Sequence, residues 1–337
     1  MLGAEENFLM MLYRAGLDPI SEERLASSLG VTPAIIRQTC EELRRLGFHI
    51  DAHPQRGYRL IDAPDRLVGE DLQARLRAIH PGEWPSEFHI GNRILVFEET
   101  NSTMDVIQRL ANENHSEGLV VFAEAQSAGR GRQGKGWISP SRKGLWFSIL
   151  LRPQLSLQSV SRLMVMVAVA VTKFLQKVTG LPLRIKWPND ILCNGRKVAG
   201  ILVESETDDQ QIRHAVIGIG INVNLEAADF PDDLRSSATS LKMEAGRSFH
   251  RPALAAEVLH GLNQYRELLS DERFPFLLEQ WVGLDDTLGR QISISGFNGR
   301  ELRGLAMNLD PDGALLLRTD EGCVERVMAG DVTLGIS

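Results

Sequence analysis

The chain contains 337 residues, of which 43% are hydrophobic and 24% are charged, and its formal net charge is −7. This length exceeds one ordinary hydrophobic core and predicts two or three domains, while the composition excludes a disordered protein. The negative charge argues against general binding to nucleic acid or to membrane surfaces, so any contact with DNA must be local to one module.

The cysteines and the apolar segments point to the cytoplasm. Cys40, Cys193 and Cys323 lie far apart and have no metal-ligand spacing, which predicts a reducing compartment and no zinc site. No basic segment precedes an apolar run at the start, so we expect no signal peptide. The longest apolar stretch, residues 163–171, is far shorter than a membrane span.

The first 64 residues have the pattern of a winged helix-turn-helix. Ser21 can cap one helix, and Thr32 can cap a second helix that Pro33 opens. The second helix has apolar residues at positions i, i+4 and i+7, namely Ile36, Cys40 and Leu43. Alternating strands at residues 48–50 and 58–61 flank a turn and predict the wing.

The charges of this module leave open whether it binds DNA. Residues 1–62 contain seven Arg and Lys against nine Asp and Glu, whereas DNA-binding domains are commonly basic. Local placement matters more than this sum, because the second helix and the wing would meet the groove and the backbone. The candidate DNA-binding residues are Thr32, Ala34, Arg37, Gln38 and Arg56. The alternative is a regulatory or dimer-supporting domain without an operator.

A linker and a sheet domain follow. Residues 62–70, which include Pro64 and several charges, predict the linker. Strand patterns occur at residues 94–98, 119–124, 145–151, 198–204 and 215–223, and helical patterns at 104–111 and 159–178. Their irregular alternation predicts a mixed sheet with helices on one side.

Residues 129–137, GRGRQGKGW, form a glycine loop that interleaves four glycines with Arg130, Arg132 and Lys135. Glycine lets the backbone approach a ligand closely and guanidinium contacts phosphate or carboxylate at two points, so the loop indicates a nucleotide substrate. The run fits the GxxxxGK of a P-loop, but Gly136 follows where a P-loop needs Ser or Thr and a helix. We therefore reject a Walker site. A basic surface loop without a ligand remains the alternative for this stretch alone.

A second motif, KWPND, occupies residues 186–190. Residues 184–187 predict the end of a strand, and Pro188 and Asn189 turn the chain, so Lys186 would project from a rigid edge. The carboxylate of Asp190 caps its own turn or serves a ligand, and the sequence leaves both roles open. By itself such a turn is structural as readily as functional.

The pattern changes again at about residue 287. Short strands are predicted at residues 291–295, 301–309, 314–319 and 324–328, separated by Gly and Asp. This spacing predicts a small all-β barrel.

Taken in order, the motifs resemble those of biotin protein ligase. EAQSA at residues 124–128 precedes the glycine loop, and KVAGILVE at 197–204 and GIGINV at 218–223 follow KWPND. The two terminal units extend the resemblance to the long, bifunctional form of the family, which is also a biotin operon repressor. It implies an α+β multidomain fold. The domains would be a winged helix-turn-helix at 1–64, a class II synthetase-like (biotin/lipoate ligase-like) mixed sheet with helices at 65–286, and an SH3-like β-barrel at 287–337.

The resemblance implies a reaction in two steps. The carboxylate of biotin attacks the α-phosphate of ATP to give biotinyl-5′-AMP, and a lysine of a biotin carboxyl carrier protein then attacks the mixed anhydride. Positioning and charge stabilisation perform most of this work, so no Ser-His-Asp set is required. Mg²⁺ is expected with ATP, and Asp190 is a candidate ligand for it, with capping of its own turn as the alternative. Operator DNA and a homodimer formed with the adenylate are the other expected partners, and repression of biotin synthesis genes is the second function.

The resemblance also implies the site residues. Lys186 and Arg132 would be catalytic. The biotin site would comprise Ser102, Thr103, Met104, Gln126, Arg130, Gly131, Arg132 and Lys186, and the ATP or adenylate site Gly129, Arg130, Arg132, Trp137, Lys186 and Asn222. Met104 stands where the family has asparagine. From the residues alone, Ser102 and Thr103 are helix-capping residues and Trp137 is a packing residue, and both roles can coexist with ligand binding.

Three functional interpretations agree with the sequence. The chain is a ligase that also represses transcription, a ligase with a vestigial N-terminal module, or a ligand-sensing repressor whose central domain binds its ligand without catalysis. A lipoate ligase would share the central fold, but the arginine-rich glycine loop and KWPND favour biotin. We expect the glycine loop to be mobile until an anionic adenylate orders it, since four glycines lose much entropy on ordering.

Overall fold

The computed structural model describes residues 3–80, 89–156, 159–208, 211–297, 300–328 and 330–334. Side chains are described for these residues except 208, 296, 297, 300 and 334. None of the helices in these ranges combines the length and apolar character that a membrane span requires.

The N-terminal unit is a winged helix-turn-helix, as predicted. It consists of α1 (Ala4–Ala15), α2 (Glu22–Leu29), α3 (Pro33–Arg45) and a hairpin of β1 (His49–His53) and β2 (Gly57–Asp62). Ser21 caps α2 by accepting a hydrogen bond of 3.2 Å from the backbone of Arg24. Thr32 precedes α3, but its hydroxyl makes no capping bond, so the predicted cap is wrong while the helix start is right. Ile36, Cys40 and Leu43 are buried in the core of this unit.

Helix α4 (Gly69–Ile79) packs against α1 and so joins the N-terminal unit to the central one. The Tyr13 hydroxyl donates to the buried carboxylate of Asp71 at 2.5 Å. Arg77 forms an ion pair of 2.8 Å with Glu6, and both side chains are largely buried. These polar contacts accompany an apolar interface, which includes Ala74 of α4.

The central unit is a seven-stranded mixed sheet. Its strands are β3 (Arg93–Thr100), β4 (Leu119–Gln126), β5 (Leu145–Leu151), β6 (Leu183–Lys186), β7 (Asp190–Cys193), β8 (Arg196–Asp208) and β9 (Gln211–Ile221). Their spatial order is β3-β4-β5-β9-β8-β7-β6. Strands β3 and β4 are parallel and every other neighbouring pair is antiparallel, which confirms the predicted mixed sheet.

Helices cover both faces of this sheet. The α6 (Val160–Thr179), α8 (Arg251–Arg266) and α9 (Phe274–Leu284) helices pack together on one face. The opposite face is covered by α5 (Thr103–Asn112), whose Ile107 packs with Val121 in a separate core. The expectation of helices on one side is therefore wrong in this detail. Side chains alternate between the faces of β4 and β5, and both faces are apolar, so each needs a cover. A short α7 (Leu241–Ala245) follows β9.

The C-terminal unit is a five-stranded antiparallel sheet. It contains β10 (Gln291–Phe297), β11 (Arg300–Leu309), β12 (Leu315–Thr319), β13 (Val324–Val327) and β14 (Asp331–Leu334), in the order β13-β12-β11-β10-β14. In the part of the chain that the structure describes, the edge strands β13 and β14 do not pair with each other, so the predicted SH3-like barrel is present but not closed. The sequence pattern did not predict β14.

Candidate functional site

A cavity of about 900 Å³ lies where the glycine loop, the KWPND turn, β8, β9 and the start of α5 meet. The C-terminal unit closes one side of it through Ser295 and residues 330–333. Of the predicted ligand-binding residues, the cavity is lined by Ser102, Thr103, Met104, Gln126, Arg130, Gly131, Arg132, Trp137, Lys186 and Asn222. Asp190 also lines it, whereas Gly129 lies behind the lining, at the base of the loop.

A hydrogen-bonded group at the start of α5 forms the polar floor of the cavity. Ser102 caps α5 by accepting from the backbone of Met104 at 3.3 Å, so the capping role read from the sequence is present. The Oε1 atom of Gln126 accepts from the backbone and the hydroxyl of Thr103 at 2.9 and 3.2 Å. The Nε2 atom of Gln126 donates to Ser139 at 2.9 Å. These bonds fix the orientation of the buried floor groups.

The floor also has an apolar side. Met104 is buried and lies over Gly218 of β9, where an added Cβ atom would stand 2.6 Å from the methionine sulfur. Because Gly218 has no side chain, the thioether of Met104 can occupy the space above it. A flexible, polarisable side chain at this point suits contact with the apolar part of a ligand.

The glycine loop is folded over the cavity. The backbone N–H of Trp137 donates to Gly129 at 2.8 Å, and that of Gly131 donates to Lys135 at 2.7 Å. Between these bonds, residues 132–134 make a single 3₁₀ turn in which Gln133 has a positive φ of 54°. No α-helix begins after Lys135 in this described segment, so the phosphate cradle of a P-loop is absent, in agreement with the rejection of a Walker site.

The three cations of the loop have different partners. Arg130 forms an ion pair with Asp105 at 2.8 Å and reaches Glu204 at 3.5 Å, and Lys135 forms an ion pair with Asp331. Arg132 instead donates to neutral oxygens, the Asn189 side chain at 3.3 Å and the Gly330 carbonyl at 3.1 Å. Burial lowers the pKa of Arg132, although the nearby Asp331 and Asp190 oppose this. Arg132 thus keeps its charge available on the cavity side.

Lys186 is an uncommitted cation in the cavity. It ends β6, opposite Asp190 in the β6–β7 hairpin, and the intervening turn contains a cis bond between Trp187 and Pro188. Trp187 is buried, and its backbone N–H donates to Thr287 at 2.9 Å, which anchors the turn. Within the described ranges, the ε-ammonium of Lys186 makes no hydrogen bond or ion pair with the protein. A ligand can therefore supply its counter-charge.

Trp137 and Lys197 form a second group in the cavity wall. The indole of Trp137 lies on Gly220, where an added Cβ atom would be 2.5 Å from the ring, and on Gly200. The ammonium of Lys197 stands 5.1 Å from the ring centroid and 2.6 Å from the carboxylate of Asp190. Both predicted residues, Trp137 and Asp190, are therefore held by Lys197. Lys197 lies in the KVAGILVE motif, but nothing in the sequence indicated a role for it.

Asn222 is buried at the end of β9. Its side chain donates to the Thr239 carbonyl at 3.0 Å, and its backbone N–H donates to Val198 at 2.9 Å.

The adjoining wall of the cavity contains Phe230, Leu234 and Ala238, and no motif in the sequence predicted it. Among the described residues, no cluster of three or more His, Cys, Asp or Glu could hold a metal ion by itself.

The predicted DNA-contacting residues are exposed. Thr32, Ala34, Arg37 and Gln38 lie on the solvent side of α3, and Arg56 lies in the turn of the β1–β2 hairpin. Arg37 forms an ion pair of 2.6 Å with Glu22, and 61% of its side chain remains exposed.

Comparison with known proteins matches all three units. The model of the Biotin/lipoate A/B protein ligase family matches residues 96–222, an HTH domain model matches 5–59, and the model of the Biotin protein ligase C terminal domain matches 287–335. The chain is 34% identical to the Bifunctional ligase/repressor BirA of Bacillus subtilis, with 98% of each chain covered, and 29% identical to that of Escherichia coli, with 93% and 92% covered. A solved Aquifex aeolicus biotin protein ligase in complex with biotin and ATP has a TM-score of 0.62 and 27% identity, over 73% of this chain and all of that one.

Proposed function

The chain belongs to the bifunctional ligase/repressor family of biotin protein ligases, and on that premise we propose that it attaches biotin to a carrier protein and represses transcription in response to biotin. The carboxylate of biotin attacks the α-phosphate of ATP, forming biotinyl-5′-AMP and releasing pyrophosphate. The amine of one lysine in a biotin carboxyl carrier protein then attacks the acyl carbon and releases AMP. Biotin and ATP are the ligands of the solved Aquifex aeolicus relative, and the carrier protein is the acceptor that membership of the family implies.

The observation that carries the ligase proposal is the ammonium of Lys186 in the cavity, which has no hydrogen bond or ion pair to any residue that the structure describes. Arg132 lines the same cavity and likewise has no ion pair with a described carboxylate. The first step brings a carboxylate against a phosphate, and two unit charges 4 Å apart repel by about 4 kcal/mol at an effective dielectric of 20. Lys186, which lines the cavity, would contact both anions and offset this repulsion. Arg132 stabilises the phosphate charge from the loop.

We place the vitamin at the floor of the cavity. The polar groups of Ser102, Thr103 and Gln126 suit the ureido ring of biotin, since they offer hydroxyl and amide groups in fixed positions. Met104 would contact the apolar part, with Arg130 and Gly131 of the glycine loop above it. Hydrogen bonds at one end and apolar contact at the other are the usual arrangement of a small-molecule site.

We place the nucleotide at the opposite end of the cavity. Trp137, Phe230 and Leu234 provide apolar surface that suits an adenine ring, and Asn222 lies beside them. Gly129 supports this end indirectly, because its carbonyl accepts the backbone N–H of Trp137.

Mg²⁺ would accompany the triphosphate, since this ion is held mainly by phosphate oxygens and water with one or two carboxylates. Asp190 is the candidate carboxylate for that ion. Its ion pair with Lys197 would have to rearrange for direct coordination, whereas a water-mediated contact leaves the pair in place.

We divide the chain into a DNA-binding domain at 1–64, a catalytic domain at 65–286 and a C-terminal domain at 287–337. Operator DNA would meet the exposed side of α3, through Thr32, Ala34, Arg37 and Gln38, and the wing, through Arg56. A homodimer of the adenylate-bound form would present two such modules to a two-fold operator. The second candidate is a ligase without operator binding, because residues 1–62 are net acidic.

Biotin-dependent exchange of labelled pyrophosphate into ATP tests the ligase proposal. We expect exchange with biotin, ATP and Mg²⁺, and none when biotin or Mg²⁺ is omitted. No exchange with all three present would leave only a binding function for the central unit. A shift of operator DNA that biotin and ATP enhance separates the bifunctional protein from a ligase alone.

A further inference from the structure

Arg251, the first residue of α8, is a fully buried arginine that none of the proposed chemistry uses. Its guanidinium donates to both carboxylate oxygens of Glu124, at 2.5 and 3.4 Å, and to the main-chain carbonyls of Asp65 and Gly144, at 2.8 and 3.4 Å. The Asp65 carboxylate accepts from Nε of Arg251 at 3.4 Å and from its backbone N–H at 2.8 Å. A charge buried this completely is stable only because it is paired and hydrogen-bonded.

The three partners of Arg251 belong to three segments of the chain. Glu124 lies in β4, two residues before the Gln126 that orients the cavity floor. Gly144 directly precedes β5, at the end of the connection between β4 and β5 that contains the glycine loop. Asp65 lies in the linker that leads from the winged helix to α4. One side chain therefore connects the strand next to the cavity floor to the linker that follows the winged helix.

Two further bonds attach the linker to the central unit. The backbone N–H of Leu67 donates to Oε1 of Glu124 at 2.8 Å, and Nε2 of His250 donates to the Ala63 carbonyl at 3.1 Å. A domain linker is usually exposed and makes few contacts. Here, residues 63–67 are bonded to a strand and a helix of the central unit.

We propose that Arg251 is a positioning residue that couples occupancy of the cavity to the linker of the winged helix. A ligand that shifts Gln126 also shifts Glu124 along the same strand. Arg251 must follow, because separating it from Glu124 would leave a buried charge unpaired. Asp65 then moves or stiffens with Arg251. This inference rests on the proposed function, since it supplies a route by which the binding of biotin and ATP affects the DNA-binding unit.

The test is amide hydrogen exchange on the full chain, with and without biotin, ATP and Mg²⁺, alongside pyrophosphate exchange. In the wild type we expect ligands to slow exchange at residues 63–67 by at least about threefold, as well as in the glycine loop. The Asp65→Ala variant removes the carboxylate from the linker and leaves the pair of Arg251 and Glu124 intact. The Asp65 carbonyl and the Leu67 N–H keep their bonds to Arg251 and Glu124, so this variant should weaken the linker response without abolishing it. The loop response should remain, with pyrophosphate exchange within about twofold of wild type. The matched control is Asp62→Ala, at an exposed position three residues away, which should behave as wild type.

Arg251→Lys gives a second variant that keeps the charge. An ammonium has three donors on one nitrogen and cannot contact Glu124 at two points while reaching Asp65 and Gly144. We expect it to lose the linker response and to raise KM for biotin about tenfold with kcat less affected. A merely structural Arg251 would lower the melting temperature and leave KM and the linker response unchanged.

The outcomes separate this inference from the proposed function. If the wild type shows pyrophosphate exchange and loop protection but residues 63–67 do not respond, the coupling is refuted and the ligase proposal stands. A normal linker response in Asp65→Ala also refutes it. Absence of pyrophosphate exchange in the wild type refutes the proposed function itself.

Discussion

At the scale of single residues, the cations of the cavity differ in how they are compensated. Arg130, Lys135 and Lys197 each form an ion pair with a carboxylate, so their charges are already balanced. Lys186 and Arg132 have no carboxylate partner among the described residues. Because their charges are not balanced by an ion pair, we expect these two side chains to dominate the chemistry.

Replacing Lys186 with Ala should remove adenylation without affecting the fold. Loss of one preorganised electrostatic group typically costs 10²–10³ in rate, so biotin-dependent pyrophosphate exchange should fall by at least about a hundredfold. The melting temperature should stay within about 2 °C, since the ammonium has no hydrogen bond or ion pair with a described residue to lose. Lys177→Ala removes an exposed ion pair with Glu257 and is the matched control. Exchange near the wild-type rate in Lys186→Ala would show that another cation performs the role.

Replacing Gly220 with Ala should impair binding at the nucleotide end. The added methyl group would stand 2.5 Å from the Trp137 ring, so the indole must move. We expect KM for ATP to rise about tenfold, which corresponds to about 1.4 kcal/mol, with a smaller effect on KM for biotin. Gly283→Ala in α9 adds the same methyl group in open space and should leave both constants unchanged. Equal KM values for ATP in the two variants would remove Trp137 from the nucleotide site.

At the scale of elements, the sequence predicted those whose pattern is complete within one segment. Strand β5 lies at the predicted residues 145–151, and α5 and α6 lie within one residue of their predicted bounds. Helix α8 was not predicted because it is buried on nearly all sides and so has no single apolar face. The sequence also did not predict which side of the sheet α5 covers. Periodicity shows which face of a helix is buried, but not which layer of the protein that face packs against.

The contact between α4 and α8 should make stability depend on pH. The ring of His80, which follows α4, packs against His89 and against His260 of α8, with centroid separations of 5.3 and 6.3 Å. Burial lowers the pKa of His89 to about 4, assisted by the positive charges of His80, Arg266 and His260, and burial also lowers the pKa of His260.

The unfolded chain binds these protons near pH 6.5 and the folded chain binds them only at lower pH, so stability is present above pH 6.5 and falls toward pH 4. Thermal melting between pH 7.5 and 4.5 should show this decline. His89→Gln should make it shallower between pH 6.5 and 5, where few carboxylates titrate. An unchanged slope would show that the pKa of His89 is the same in the folded protein as in the unfolded chain.

At the scale of the whole molecule, the cavity is shared between the central and C-terminal units. Arg132 donates to Gly330 and Lys135 pairs with Asp331, residues that are 198 and 196 positions away in the chain. No local pattern could predict these contacts, because they depend on how two units that are far apart in the chain pack together. The motifs identified the residues of the glycine loop. The structure was needed to find Lys197, the cavity wall at Phe230, and β14, whose residues close one side of the cavity.

The exposed side of α3 predicts a separable DNA-binding function. Arg37→Ala should weaken operator binding about tenfold, within the 1–3 kcal/mol typical of a base-contacting arginine, and leave pyrophosphate exchange unchanged. Electrophoretic mobility shifts at fixed salt measure the first effect, and Lys177→Ala is the control. Equal operator affinity of Arg37→Ala and wild type would place the contact elsewhere, and absence of any shift would support the ligase without operator binding.

The most direct test of the account is mass spectrometry of a biotin carboxyl carrier domain after incubation with this protein, biotin, ATP and Mg²⁺. We predict one biotin on one lysine of the carrier with the wild type, and none in the same time with Lys186→Ala. A carrier that remains unmodified with the wild type, or that is modified equally by both proteins, would contradict the claim that the Lys186 cavity activates biotin for transfer.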